Sequence, residues 1–221
     1  TPADWLLARL TYNPSFRRID LYNTFAHLAH TVTEEDLASA APLSQSPLLR
    51  KYDEADRDRQ RVELMLQLAP TDVFTATTTA AYGNDDYPRS PLGLQHAESW
   101  SAGIDLSWTP LERVTLSAGY VHEYIDQRMR SRDRERTFTT PAIVFDFPDF
   151  DWISDSTDTI DTFHAGATAT LIPQRLDWTM GASYSYALGR VDTRNPLPVT
   201  SGTAAQRANA TARPFPAVED A

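Results

Sequence analysis

Residues Ser99–Tyr124 read SWSAGIDLSWTPLERVTLSAGYVHEY. Trp100, Ala102, Ile104, Leu106 and Trp108 fall on one parity, and Ser101, Gly103, Asp105 and Ser107 on the other. Successive side chains of a strand point to opposite faces, so this alternation predicts a strand with one greasy face and one small, polar face. After Thr109-Pro110-Leu111-Glu112 the alternation resumes in Val114, Leu116 and Ala118. The stretch therefore reads as a hairpin.

The same unit recurs. Three further proline-centred connections stand at Asn13-Pro14-Ser15, Ala69-Pro70-Thr71-Asp72 and Ile172-Pro173-Gln174-Arg175. Proline presets the first corner of a turn and cannot serve a central ladder. Strands are expected near 5–12 and 17–27, 60–68 and 73–84, 98–108 and 114–126, and 159–171 and 176–188. Long polar segments at 29–58, 85–97 and 128–158 join these hairpins. Short turns on one side and long loops on the other is the plan of an outer-membrane barrel, with its turns in the periplasm. The reading is an all-β, antiparallel transmembrane β-barrel segment of about eight strands from a larger barrel. Residues 1–191 form the barrel hairpins. Residues 192–221 form a Pro/Ala/Thr-rich loop, expected to be disordered.

Aromatic residues sharpen the plan. Phe25, Tyr82, Trp100, Tyr120, Phe163 and Tyr184 stand far from the turn prolines, while Tyr12, Phe74, Trp108 and Trp178 stand close to them. At ~3.3 Å per residue and a tilt of ~40°, Trp100 and Trp108 lie roughly 20 Å apart along the membrane normal, near the ~25 Å band between aromatic girdles. Amphipathic rings prefer that interface. The greasy parity (Val62, Leu64, Leu66 and Leu68 on one strand) then faces lipid. The other parity faces a lumen and carries Arg61, Glu63, Asp105 and Asp177 as candidate partner contacts. Asn23 is a misfit on the lipid side. A soluble β-sandwich, with one wet face per sheet, is the competing architecture.

Composition agrees with a barrel and excludes other classes. The chain has 221 residues and a formal net charge of -10, with pI ≈ 4.9, so nucleic acid is excluded as a partner. It has no cysteine, hence no disulfide, thiolate metal site or covalent haem motif. A mean hydropathy of -0.43 is ordinary for a barrel, because lipid-facing and lumen-facing residues alternate.

Little in the chain suggests chemistry. His27, His30, His96, His122 and His164 are dispersed, with no carboxylate pair completing a metal set. Asp155, Asp158 and Asp161 read as a solvated rim, and Asn84-Asp85-Asp86 likewise. The unusual stretch is RMRSRDRER, where Arg128, Arg130, Arg132, Arg134 and Arg136 recur at every second residue. In an extended chain their guanidinium groups share one face. They read either as an anion-recognising ladder, for lipopolysaccharide phosphates, haem propionates or an acidic partner, or as a solvated strand extension diluted by Asp133 and Glu135.

The runs KYDEADRDRQRVELMLQLAPTD, YGNDDYPRSPLGLQHAESWSAGIDLSWTP, YIDQRMRSR and WISDSTDTIDTFHAGATATLIPQRLDW resemble the MtrB/PioB family of outer-membrane barrels. The resemblance is clear from about Lys51 to Arg190. It implies a large barrel in the bacterial cell outer membrane that sheathes a periplasmic multihaem c-type cytochrome, so that electrons cross the membrane. It implies no cofactor in the barrel itself, the haem being the partner's, and an extracellular multihaem cytochrome as a further partner. The Cys-x-x-Cys pair of some members is absent. A lone eight-stranded barrel has room only for its own side chains, so this chain is expected to be an internal or truncated segment. The alternative function is a porin-like pore for small solutes. An enzyme is disfavoured, since no nucleophile elbow, phosphate loop or zinc motif occurs.

Overall fold

A computed structural model describes residues 4–21, 46, 48–136, 144–215 and 217–220. The chain runs through β1 (Leu6–Tyr12), β2 (Ser15–Arg17), β3 (Leu49–Arg50), β4 (Arg57–Thr71), β5 (Phe74–Asp86), β6 (Leu92–Leu111) and β7 (Val114–Arg132). It continues through β8 (Glu135–Arg136), β9 (Val144–Phe145), β10 (Asp151–Ile172), β11 (Leu176–Arg194), helix α1 (Ala204–Ala210) and β12 (Val218–Asp220). One sheet has the order β1-β4-β5-β6-β7-β10-β11-β12, and β2 also pairs with β4. Its long neighbours are antiparallel. The sheet is not closed: β1 and β12 are its two ends. The antiparallel barrel wall expected from alternation is therefore present, as an open segment.

The first expected hairpin is not one. Tyr12 pairs with Val62 and Ser15 with Arg59 in one unbroken register. The Asn13 N–H donates to the Arg61 carbonyl at 2.8 Å. Pro14 thus lies in line within a single edge strand, and the described residues form seven long strands where eight are expected. Neighbouring N–H groups of a strand point to opposite sides, so Pro14, next to a residue bonded to β4, has its missing N–H on the free edge. Proline is tolerated there at little cost. Of the strand expected at 17–27, Arg17 closes β2 and 18–21 are not strand; 22–27 lie outside the described residues. Phe25, Asn23, His27 and His30 lie outside the described residues.

Prolines also act differently at the other connections. The β4–β5 and β6–β7 corners are Asp72-Val73 and Glu112-Arg113. Pro70 and Pro110 sit just before them, in bulges where the register shifts between Leu68 and Thr71 and between Trp108 and Leu111. A bulge leaves one residue unpaired, which suits a residue without an N–H. Only Pro173 occupies a corner. Arg175 N–H donates to the Ile172 carbonyl at 3.0 Å, and Gln174 takes φ 59°, as a type II turn requires at its third residue.

The strands overrun their expected ends. β6, β7, β10 and β11 have 20, 19, 22 and 19 residues, well beyond the ~9–11 that cross a bilayer. Much of 85–97 and 128–158, expected as loop, is strand. Cross-strand ion pairs hold this extension, and hydropathy alone reads such polar pairing as loop. The segment 192–221, expected as a disordered loop, begins inside β11 and carries α1, whose N-terminus is capped reciprocally by Thr203 and Gln206. It ends in β12, which pairs with Ala187–Gly189.

The core lies at the long-loop end. The buried apolar residues are Ala55, Tyr87, Leu92, Phe150 and Ala210. Along the body of the sheet both faces are open. One exposes Leu64, Leu68, Tyr82, Trp100, Ile104, Leu106, Trp108, Leu116, Phe163, Leu171, Trp178 and Tyr184. A continuous apolar patch of this extent is unfavourable in water and marks a surface that meets a membrane or another protein. Among the described residues no second layer covers it, which removes the sandwich. No described helix is long and apolar enough to cross a membrane; crossing by strands is unaffected by that.

Candidate functional site

The register sorts the expected contacts that lie in the sheet onto one face or the other. On the apolar face Tyr82 pairs with Trp100 and Trp100 with Tyr124. Tyr120 and Tyr184 flank Phe163, with Tyr120 and Phe163 ring centres 4.7 Å apart. Phe74 pairs with Trp108 near the turns, and Trp178 lies opposite Ala169. Two aromatic rows therefore bracket an apolar band, eight residues deep along β6 from Trp100 to Trp108.

Between the outer aromatics lies a polar group that sequence reasoning missed. Asp161 Oδ1 accepts from the Tyr120 hydroxyl at 2.6 Å and lies 2.7 Å from His122 Nδ1. The His122 ring sits 5.0 Å from Trp100. Asp161 was expected at a solvated rim. The shared parity of Tyr120, His122 and Tyr124 was the available signal. The aspartates of DSTDTID are dispersed: Asp155 meets Arg128, whereas Asp158 points to the face opposite both Asp155 and Asp161.

The polar face is low and hydrophilic. Gly83, Gly103, Gly119, Gly166 and Gly181 stand on five successive strands of the sheet, β5, β6, β7, β10 and β11, and all share the parity of Asp105. Neighbouring side chains lean over Gly83, Gly103, Gly119 and Gly166. His164 Nε2 reaches Asp105 Oδ1 at 2.9 Å across Gly119, which pairs with both. A Cβ on Gly119 would lie 2.3 Å from His164 Cε1 and 2.6 Å from Asp105 Oδ1. Glycine in a strand interior often marks such close approach.

Arg61 and Glu63 come together with Glu123 around a recess of about 230 Å³, floored by Ala81, Gly83, Ser99 and Ser101. Among the described residues no salt bridge engages any of these three charges. Nearby, Arg59 is fully engaged by Asp85, with Nε–Oδ1 at 2.6 Å and Nη2–Oδ2 at 2.5 Å. Asp177 stands apart at the turn end, accepting from the Thr170 hydroxyl at 2.7 Å. The four expected polar-face contacts thus form no single site.

The arginine row is broken, and its members from Arg128 to Arg134 are engaged. Arg128, Arg130 and Arg132 share a face of β7, but the strand ends at Arg132, and Arg136 belongs to β8, in a separate two-stranded pairing with β9. Asp155 bridges Arg128 at 2.6 Å and Arg194 at 2.5 Å. Asp151, with its side chain 2% exposed, bridges Arg130 at 2.7 Å and Arg132 at 2.5 Å. Asp146 meets Arg132 at 2.9 Å and Arg134 at 3.1 Å. The hydrogen bond from Arg132 to Asp151 raises the Arg132 pKa further, and that from Arg128 to Asp155 does the same for Arg128. These bonds tie β7, β10 and β11 together beyond the apolar band.

The tail docks onto the same end. Asn195 Nδ2 donates to the carbonyls of Asp151 and Ala210, each at 2.9 Å, and its Oδ1 accepts from Ala212 N–H at 2.7 Å. Asp149 Oδ2 accepts from the N–H groups of Thr200 and Ser201 at 2.7 and 2.8 Å. Those backbone donors hold the Asp149 carboxyl down to about 2.

An antiparallel wall with an aromatic-bracketed apolar face, a polar face and short turns at one end defines a strand-built outer-membrane protein. Comparison with known families agrees. The family described as outer membrane beta-barrel porin, MtrB/PioB, matches residues 1–220, and the chain belongs to it. The chain is also 24% identical over 195 residues to "Outer membrane protein MtrB" of Shewanella baltica (strain OS185), a match covering 88% of this chain and 26% of that protein. The chain therefore spans about a quarter of that relative's length. The apolar face is accordingly the lipid face, and the polar face the lumen face.

Proposed function

We propose that the barrel to which this wall belongs is a structural sheath: it encloses a periplasmic multihaem c-type cytochrome and holds it across the outer membrane, without catalysis or a cofactor of its own. The observation that carries this reading is the lumen face. Five successive strands each present a glycine to it, and taller side chains fold down over four of those glycines. A low, polar wall lets a folded protein approach the backbone closely, and the charges of Arg61, Glu63 and Glu123 stand ready to orient it. Fixed charges of this kind set register more than affinity. The hydrocarbon and the wall would then insulate the haems and fix their spacing.

The supporting test is co-purification. The full-length protein, extracted from outer membranes in mild detergent, should carry covalent haem in a second polypeptide. It should pass only small ion currents in planar bilayers until that polypeptide is stripped away. Haem-free protein that conducts freely as isolated from cells would support a solute pore instead.

A further inference from the structure

Some charges of this wall are paired within the chain and some are not. Beyond the band, Arg128, Arg130 and Arg132 on the lipid-side parity, and Arg134 past the end of β7, are each engaged by carboxylates of the same chain. On the lumen parity, Glu63, Glu123 and Arg61 rim one recess and none has an ion-pair partner among the described residues. The register fixes their geometry: Glu63 pairs with Ala81, Ala81 with Ser101, and Ser101 with Glu123. Three interstrand steps of about 4.8 Å set the two glutamate Cα atoms roughly 14 Å apart. That gap is too wide for the carboxylates to touch and suits a third group held between them. Small residues leave the floor free. Arg61 stands one row away, where Gly83 and Ser99 lie beside it in the ladder.

We infer that this recess is the docking point for one cationic side chain, lysine or arginine, projecting from the protein inside the lumen. The occupant's cation lies between Glu63 and Glu123 and donates a charge-assisted hydrogen bond to each carboxylate. Arg61 borders the recess on one side and rejects a second cation there, so the contact fixes the occupant's rotation and depth instead of simply attracting it. Like charges facing each other across an interface disfavour wrong registers. The inference rests on the sheath reading and adds its attachment point.

The test places a photo-crosslinking amino acid at Ser101, between the glutamates, and separately at Thr179, on the same face of β11, in the full-length protein in cells. The expected result is a cross-link from Ser101 to one protein, through a peptide containing lysine or arginine. The E63Q/E123Q variant should lower that yield at least tenfold while the Thr179 cross-link persists. If the double variant does not insert, E123Q alone is read the same way, with a smaller loss. A Ser101 cross-link to a peptide without a cation, or one indifferent to E63Q/E123Q, overturns the docking point and leaves the sheath standing. A Thr179 cross-link without one at Ser101 does the same. No protein cross-link at either position overturns both.

Discussion

His164 and Asp105 belong to strands that are not neighbours, yet Nε2 and Oδ1 meet at 2.9 Å over Gly119 of the strand between them. Only a residue without a side chain permits that bridge. In Gly119→Ala the new Cβ would enter the space of both groups. These are side-chain tips, so the pair should separate without unfolding the wall. Both groups are more than a third exposed, so screening keeps the loss small, about 1 kcal/mol or less. A double-mutant cycle of Gly119→Ala with Asp105→Asn, read by urea unfolding in lipid vesicles, should show coupling; strict additivity would mean that the bridge does not form.

Arginine at Ile104 or Leu66, in the middle of the apolar band, should destabilise the inserted protein by about 2–4 kcal/mol. The same residue at Ser101, on the opposite parity, should be mild. Unfolding in vesicles of the full-length protein measures both, and equal losses would contradict the assignment of faces.

Asp151→Ala would leave Arg130 and Arg132 without their nearly buried shared partner. The effect should be confined to the outer extension, because the apolar band depends on lipid contact. Limited proteolysis should cut within 133–150 at least several-fold faster than in the parent, while membrane insertion and heat-resistant migration are unchanged. Unaltered cleavage would show that the arginine row does not hold the extension.

Asp149 links the tail to this end and titrates low, to about 2, because the Thr200 and Ser201 N–H groups hold its ionised form. A depressed carboxyl contributes stability above its unfolded value and loses it as pH falls through the folded one. The tail contact should therefore be complete above about pH 4 and lost toward about pH 2. Amide shifts of Thr200 and Ser201 should follow that transition in the parent and be pH-independent in Asp149→Asn. A midpoint near the ordinary aspartate value would remove the contact from the account.

The faces were legible in the sequence because the pleat ties parity to side. Trp100, Ile104 and Trp108 announce the lipid face without any knowledge of neighbours. Proline was less informative, since Pro14, Pro70 and Pro110 avoid the ladder by lying on an edge or in a bulge, and the sequence shows only that each must avoid it. The outer extension was hidden because Arg128 and Asp155 look like loop residues until they are placed in adjacent strands. The lumen contacts were hidden for the same reason. Asp105 was visible as a polar-face carboxylate, but its pairing with His164, 59 residues later in the chain, depends on two registers and a glycine between them. Glu123 joined Arg61 and Glu63 only once four strands were aligned.

The central claim is enclosure of an electron carrier, and liposomes holding a redox dye test it most directly. The full-length protein is reconstituted alone and together with the proposed multihaem cytochrome partner, and reductant is added outside. The account predicts that the dye bleaches only when both proteins are present, with ion currents that stay small in the complex. Bleaching by the barrel alone, or large currents that the cytochrome does not block, would contradict it.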